Sequence, residues 1–284
     1  MIHLRTHKII RTLVLLAILI LPCHVQAGIN RSAGDLRSGL QQLFASLQTA
    51  TTDSARLSVN DSIKTLVDSY ASRKEFFGKK FTELKYLGQI LSPDSALKII
   101  NWNLNLKEAG GYYCCYIIRK YADGSPLNVT YLERKYEPGK IKTDTIYSPA
   151  GWYGALYYDV RPAPYNGINS WILLGISYSD PVAIKKIIEV VTYSPDGRLI
   201  MGRKWFSDEK AVRYRHILEY STSASITLRF MEDNSIVFDH LVPIPKANAE
   251  GRLEYGPDYS YDSFVFEEGI WKLSLNIDAR NPNK

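Results

Sequence analysis

A histidine within reach of a carboxylate is the smallest unit able to move protons in a hydrolytic reaction. His240, in Ile236-Val-Phe-Asp-His-Leu-Val-Pro243, is the residue of this chain best placed to serve, with Asp258 or Asp262 of Gly256-Pro-Asp-Tyr-Ser-Tyr-Asp262 as its partner. Strand alternation sets Asp239 on the opposite face from His240 and groups His240 with Ile236, Phe238 and Val242. The expectation is therefore a buried, structural histidine satisfied by a backbone or hydroxyl partner; the alternative is a secreted hydrolase. His216, in Arg213-Tyr-Arg-His-Ile-Leu-Glu-Tyr220, is less distinctive.

Oxygen-rich stretches can hold a hard cation, and Gly256–Asp262 offers two carboxylates and three hydroxyls. It lacks the D-x-D-x-D-G spacing and later glutamate of an EF-hand. A turn in which Asp258 bonds to its own backbone is the simpler expectation, with no metal and no cofactor. Neither a G-x-S-x-G nucleophile elbow nor a G-x-x-x-x-G-K-[ST] phosphate loop occurs. The chain is rich in aromatic residues, with 20 Tyr and 5 Trp. Trp152, Tyr153, Tyr259 and Tyr261 are candidates for a platform that binds a glycan or a peptide. Cross-strand packing is nevertheless the expectation for most of the clustered aromatic residues, these four included, because adjacent pairs place one ring on each face of a sheet.

The elements that must position these residues change character near residue 85. Leu36, Leu40, Leu43, Phe44 and Leu47 recur at helical spacing, and Ile63, Leu66, Val67 and Tyr70 repeat the pattern after Asp61, read as an N-cap. A short helical turn carrying Phe76, Phe77, Phe81 and Leu84 follows. From Tyr86 onward, short β-rich runs alternate with turns such as Ser92-Pro-Asp-Ser95, Asp123-Gly-Ser-Pro126, Ser194-Pro-Asp-Gly197 and Glu232-Asp-Asn-Ser235. Strands are predicted at 86–91, 96–106, 111–121, 127–136, 153–160, 170–178, 184–193, 198–206, 212–221, 225–231, 235–242 and 263–277, the last with a break near Gly269. The fold class is α+β: an N-terminal helical segment, 28–84, packed on a large antiparallel β domain, 85–284. A sandwich or open meander is expected rather than a propeller, because the two Ser-Pro-Asp turns are not joined by a blade-length repeat.

Residues 1–27 read as an export signal: Arg5, Lys8 and Arg11 precede the apolar run Leu13–Leu21, and Val25-Gln-Ala27 supplies a cleavage site. The run is far shorter than the roughly 20 residues a membrane-crossing helix requires. The protein is expected in the periplasm or outside the cell. A lipid-anchored form through Cys23 is disfavoured by Pro22 in front of it. Losing three cations with the signal lowers the formal charge of +6, and the remaining basic residues form no cluster, which argues against a nucleic-acid partner. Cys114 and Cys115 lie side by side in a strand, point to opposite faces and should remain free thiols.

Leu91-Ser-Pro-Asp with Lys98-Ile-Ile-Asn-Trp102, Trp152-Tyr-Gly-Ala-Leu-Tyr-Tyr158, Ile236–Pro243 and Tyr255-Gly-Pro-Asp-Tyr-Ser-Tyr-Asp262 together resemble segments of a family of exported bacterial proteins of unknown function. The resemblance spans most of the chain after the signal. It implies an exported helix-plus-β protein and no catalytic residues. The function expected from these features is non-catalytic binding, of a glycan or a peptide, or a structural role in the envelope.

Overall fold

The computed structural model describes residues 32–278 apart from 108–109, 136–139, 209, 233–234, 248–250 and 252. The export signal, Cys23 and the centre of the Glu232–Ser235 turn lie outside the described residues.

Helix α1 (Ala33–Thr49) starts at Ser32, which forms a reciprocal capping box with Asp35. It buries Leu36, Leu40, Phe44 and Leu47 along one stripe. Helix α2 (Asp53–Ala71) begins two turns before the predicted Asp61 cap. The Thr52 side chain accepts the Ala55 N–H and so caps the helix there, whereas Asp61 lies mid-helix, one turn from Lys64. The one-turn helix α3 (Lys74–Phe77) follows. Phe76, Phe77, Phe81 and Leu84 are all buried, as their clustering predicts.

The rest is mostly antiparallel β structure in three sheets, in accord with the expected class. The first is a meander of β1 (Gly88–Leu91), β2 (Leu97–Leu106), β3 (Gly110–Arg119) and β4 (Asn128–Lys135). The second contains β5 (Leu156–Pro162), β6 (Ser170–Ser177), β7 (Ala183–Tyr193) and the short β8 (Leu199–Met201). Next along the chain come β9 (Phe206–Ser207), β10 (Val212–Arg213) and β11 (His216–Ser221); β11 returns to pair with β7, while β9 and β10 join the third sheet. That sheet is completed by β12 (Leu228–Phe230), β13 (Ile236–Ala247), β14 (Leu253–Glu267) and β15 (Ile270–Ile277), and it holds a parallel pair, β9 with β15.

Residue parity builds a serial stack from these sheets. Ile100, Trp102 and Leu104 of β2, with Tyr112, Cys114 and Tyr116 of β3, face the helices. Leu97, Ile99, Tyr113, Cys115 and Ile117 face the second sheet, meeting Trp171, Leu173, Ile187 and Val191. The reverse face of that sheet, Ile172, Leu174, Ile188 and Val190, packs on Phe206, Phe238, Phe264 and Trp271 of the third. The order is helices, sheet, sheet, sheet, with an apolar core at each junction. Cys114 and Cys115 are free, and each lies in a different core.

Both Ser-Pro-Asp sequences form hairpin turns of the same construction. Ser92 bonds to Asp94 and Ser194 to Asp196 through their side chains, and each serine hydroxyl also accepts a backbone N–H from the returning strand. Among the described residues no helix is long and apolar enough to cross a membrane.

Several predicted boundaries move, among them 235–242, which runs on to Ala247, and two further stretches. Residues 198–221 do not form two long strands but the four short pieces β8 to β11, because the chain crosses there from the second sheet to the third. Residues 253–262, expected to be a loop, belong to the long strand β14. There Tyr255, Gly256 and Pro257 pair with Pro243, Val242 and Leu241 of β13.

Candidate functional site

His240 and Asp262 do come together. Nδ1 of His240 lies 2.8 Å from an Asp262 carboxylate oxygen, and the other carboxylate oxygen accepts the Asn276 N–H at 3.1 Å. Irregular pairing creates this contact. Asp239 pairs with Tyr261 and Leu241 with Pro257, so His240 alone stands opposite the three residues 258–260. Such a bulge breaks the alternation on which a buried His240 was predicted. The imidazole side chain is 28% exposed and bonded to a carboxylate, where burial and a backbone or hydroxyl partner were expected.

Asp258 forms the expected turn: its carboxylate accepts the Ser260 N–H at 3.0 Å and the Ser260 hydroxyl at 2.7 Å. Those bonds, the hydroxyl's first, hold its pKa below the ordinary carboxylate range. Tyr259, at the tip with φ of 70°, is 92% exposed, and Tyr261 is half-buried. Among the described residues no group of three or more His, Cys, Asp or Glu side chains is arranged to hold a metal ion. None of them offers a serine, threonine or cysteine hydrogen-bonded to His240, so the dyad stands without an activated nucleophile.

His216 lies across the sheet interface against the rings of Phe238 and Phe264, at centroid distances of 5.4 and 4.9 Å. Those apolar surroundings push its pKa down to about 4.

Trp152 and Tyr153 are not a surface platform. Trp152 is fully buried and donates to Tyr157 at 3.1 Å, while Tyr153 donates to Glu189 at 2.9 Å. They belong to a polar cluster inside the core between the first two sheets. At its centre the Arg215 Nε donates to Glu189 at 2.8 Å with both side chains fully buried. Arg215 also donates to the carbonyls of Lys142, Thr145 and Met201, which ties the 140–146 segment to the sheet. Burial raises the Glu189 pKa, with Arg215 opposing the rise. Neither Glu189 nor Arg215 was singled out by the sequence, since they are far apart along it.

A cleft of about 620 Å³ opens elsewhere, where the first sheet, the helices and β5 meet. This is within the size range of ligand sites. The apolar wall is Phe44 and Leu47 of α1; the floor is β2 from Asn101 to Asn105; Lys85, Lys107 and Arg56 stand around it. β1 pairs with β2 only from Lys98 to Asn101, so from Trp102 to Leu106 no strand among the described residues is paired with β2 on that side. The corner is tightly made. Asn101 donates to the Tyr157 carbonyl at 3.1 Å, and a Cβ added to Gly88 would lie 2.9 Å from the Asn101 amide. On the helix side, Trp102 donates at 2.7 Å to the buried Asn60.

The sequence holds the signal for this cleft in two places: the predicted 96–106 strand is far longer than its partner 86–91, and asparagines alternate at 101, 103 and 105.

Comparison with protein-family models, curated proteins and solved structures gave no match to this chain.

Proposed function

We propose that the protein is an exported, non-catalytic binding protein and that the cleft between α1, β2 and β5 is its binding site. The observation that carries this reading is the cleft itself: a cavity of about 620 Å³ that joins an apolar wall to a polar strand edge and exposed cations. Few convergent polar groups on an apolar frame are what a recognition site needs. Export rests on the sequence of residues 1–27, and the envelope is where such a ligand would be met.

A second reading, hydrolysis at His240, is favoured by the 2.8 Å contact with Asp262. It ranks lower because, among the described residues, no serine, threonine or cysteine is hydrogen-bonded to His240 as a nucleophile would be.

One experiment separates the two. Immobilised wild-type protein and an Asn103→Trp variant, whose indole occupies the cleft, are exposed to a hexapeptide library and to N-acetylglucosamine oligomers. Retained compounds are then weighed by mass spectrometry. Retention of unchanged compounds by wild type alone is expected. Equal retention by both proteins removes the cleft from the reading. Cleaved products that disappear in His240→Ala put the hydrolase first. Cell fractionation of the full chain against a chain lacking residues 2–27 tests export.

A further inference from the structure

We infer that the ligand of this cleft is an extended peptide segment with acidic side chains at alternate positions, bound as an added strand along β2. The inference deepens the binding reading above and rests on it.

Strand addition needs a row of unpaired backbone groups facing an open space of the right length. Parity identifies the row. In an antiparallel ladder alternate residues turn their N–H and C=O to one side. The Ser92 N–H donates to the Leu97 carbonyl and the Lys120 N–H to the Ala96 carbonyl, so odd-numbered residues of β2 address β1 and even-numbered ones address β3. β1 ends at Gly88 opposite Asn101. Asn103 and Asn105 therefore turn one N–H and one C=O each into the cleft, as hydrogen-bonding groups that β1 does not reach. The overhang from Trp102 to Leu106 has room for a strand of about five residues, some 17 Å at about 3.4 Å per residue.

Charge selects the occupant. Lys85 and Lys107 both line the cleft, both are exposed, and among the described residues neither forms an ion pair. Among the described residues its lining holds no Asp or Glu, and the Asp53 carboxylate at its end is engaged by the Lys107 N–H at 2.8 Å and by Arg56 at 3.4 Å. An entering strand would alternate its side chains between the Phe44–Leu47 wall and the asparagine side. An apolar/acidic alternation meets both requirements, and a basic one does not.

Fluorescence anisotropy with labelled Val-Glu-Val-Glu-Val-Glu tests this against four changes. The lysine counterpart of the peptide keeps the backbone and reverses the charge. N-methylation of alternate amides keeps the charge and removes the strand hydrogen bonds. On the protein, Asn103→Pro deletes one cleft-facing N–H at an edge position where proline is tolerated, and Lys85→Glu/Lys107→Glu reverses two exposed charges outside the ladder.

The glutamate peptide is expected to bind, and each change to weaken binding at least tenfold with the melting temperature of the charge variant unchanged. Equal binding of the N-methylated peptide overturns strand addition; equal binding of the lysine peptide overturns the acidic assignment. A wild-type dimer in sedimentation that Asn103→Pro dissolves shows a second copy on the edge and likewise overturns the inference. Retention of sugar oligomers in the cleft with no peptide binding would sink strand addition while leaving the binding reading intact. Cleavage of the bound peptide would reverse the non-catalytic reading and leave strand addition standing.

Discussion

Replacing Arg215 by methionine keeps most of its aliphatic stem and removes its charge from a site that water does not reach. The guanidinium then no longer donates to Glu189 or to the carbonyls of Lys142, Thr145 and Met201. It also leaves its positions 4.6 and 5.8 Å from the Tyr147 and Tyr153 rings. Breaking one side of a buried ion pair costs about 3–5 kcal/mol, most of it the penalty of the charge left behind. For a chain of this size each kcal/mol lowers the melting temperature by roughly 2–4 °C, so a fall of about 10 °C is expected. Glu189 retains the Tyr153 hydroxyl and the Val190 N–H but no cation, and its already raised pKa rises further. A carboxyl whose folded pKa lies above its unfolded value is progressively destabilising as pH climbs. The deficit should thus be larger at pH 8 than at pH 5.5. Urea unfolding followed by tryptophan fluorescence measures it at both values. Arg215→Met/Glu189→Leu should recover the charge-dependent part and not the part due to the freed carbonyls. A loss below about 1 kcal/mol, the range of exposed ion pairs, or a deficit indifferent to Glu189, would refute the description of this core.

His216 supplies a second pH test. Its pKa in the fold, about 4, lies below the ordinary 6.5, so above pH 6.5 it is neutral in both states and contributes no pH dependence. As pH falls from 6.5 towards 4 the unfolded chain takes up a proton that the fold refuses, and stability drops by about 2–3 kcal/mol, the lower figure allowing for the part of the ring that water reaches. His216→Phe should flatten this part of the stability curve; an unchanged curve would mean that the ring titrates normally. Gly88→Ala forces a methyl against Asn101, whose side-chain amide and backbone carbonyl would lie 2.9 and 3.1 Å away. It should cost about 1–3 kcal/mol and weaken any cleft ligand, whereas Gly78→Ala, with nothing within 4 Å, should do neither.

Legibility followed the range of the interaction. The apolar stripes of both helices and the Ser-Pro-Asp hairpins depend on residues close together along the chain, and all were readable. Asp61 misled because it resembles a cap, although Thr52 is the residue whose side chain meets a free N–H. Alternation placed Cys114 and Cys115 correctly on opposite faces because β3 pairs without interruption on both sides. It failed for His240, where a bulge reset the phase. Bulges depend on the partner strand, and nothing in Asp239-His240-Leu241 announces one. The cleft lay between these cases: unequal strand lengths around one turn already implied an unpaired edge at 102–106. What no local pattern held was the meeting of α1 with β5 above it.

The adjacent thiols of β3 have a practical consequence. Consecutive residues of one strand sit in two separate interiors, Cys114 beneath the helices and Cys115 between the first and second sheets. Burial raises both pKa values, that of Cys114 to about 11, so neither thiol reacts until its own layer parts. Each is a built-in clock on a different junction. Alkylation of Cys114→Ala and Cys115→Ala variants under native conditions would time the lifting of the helices apart from the separation of the sheets.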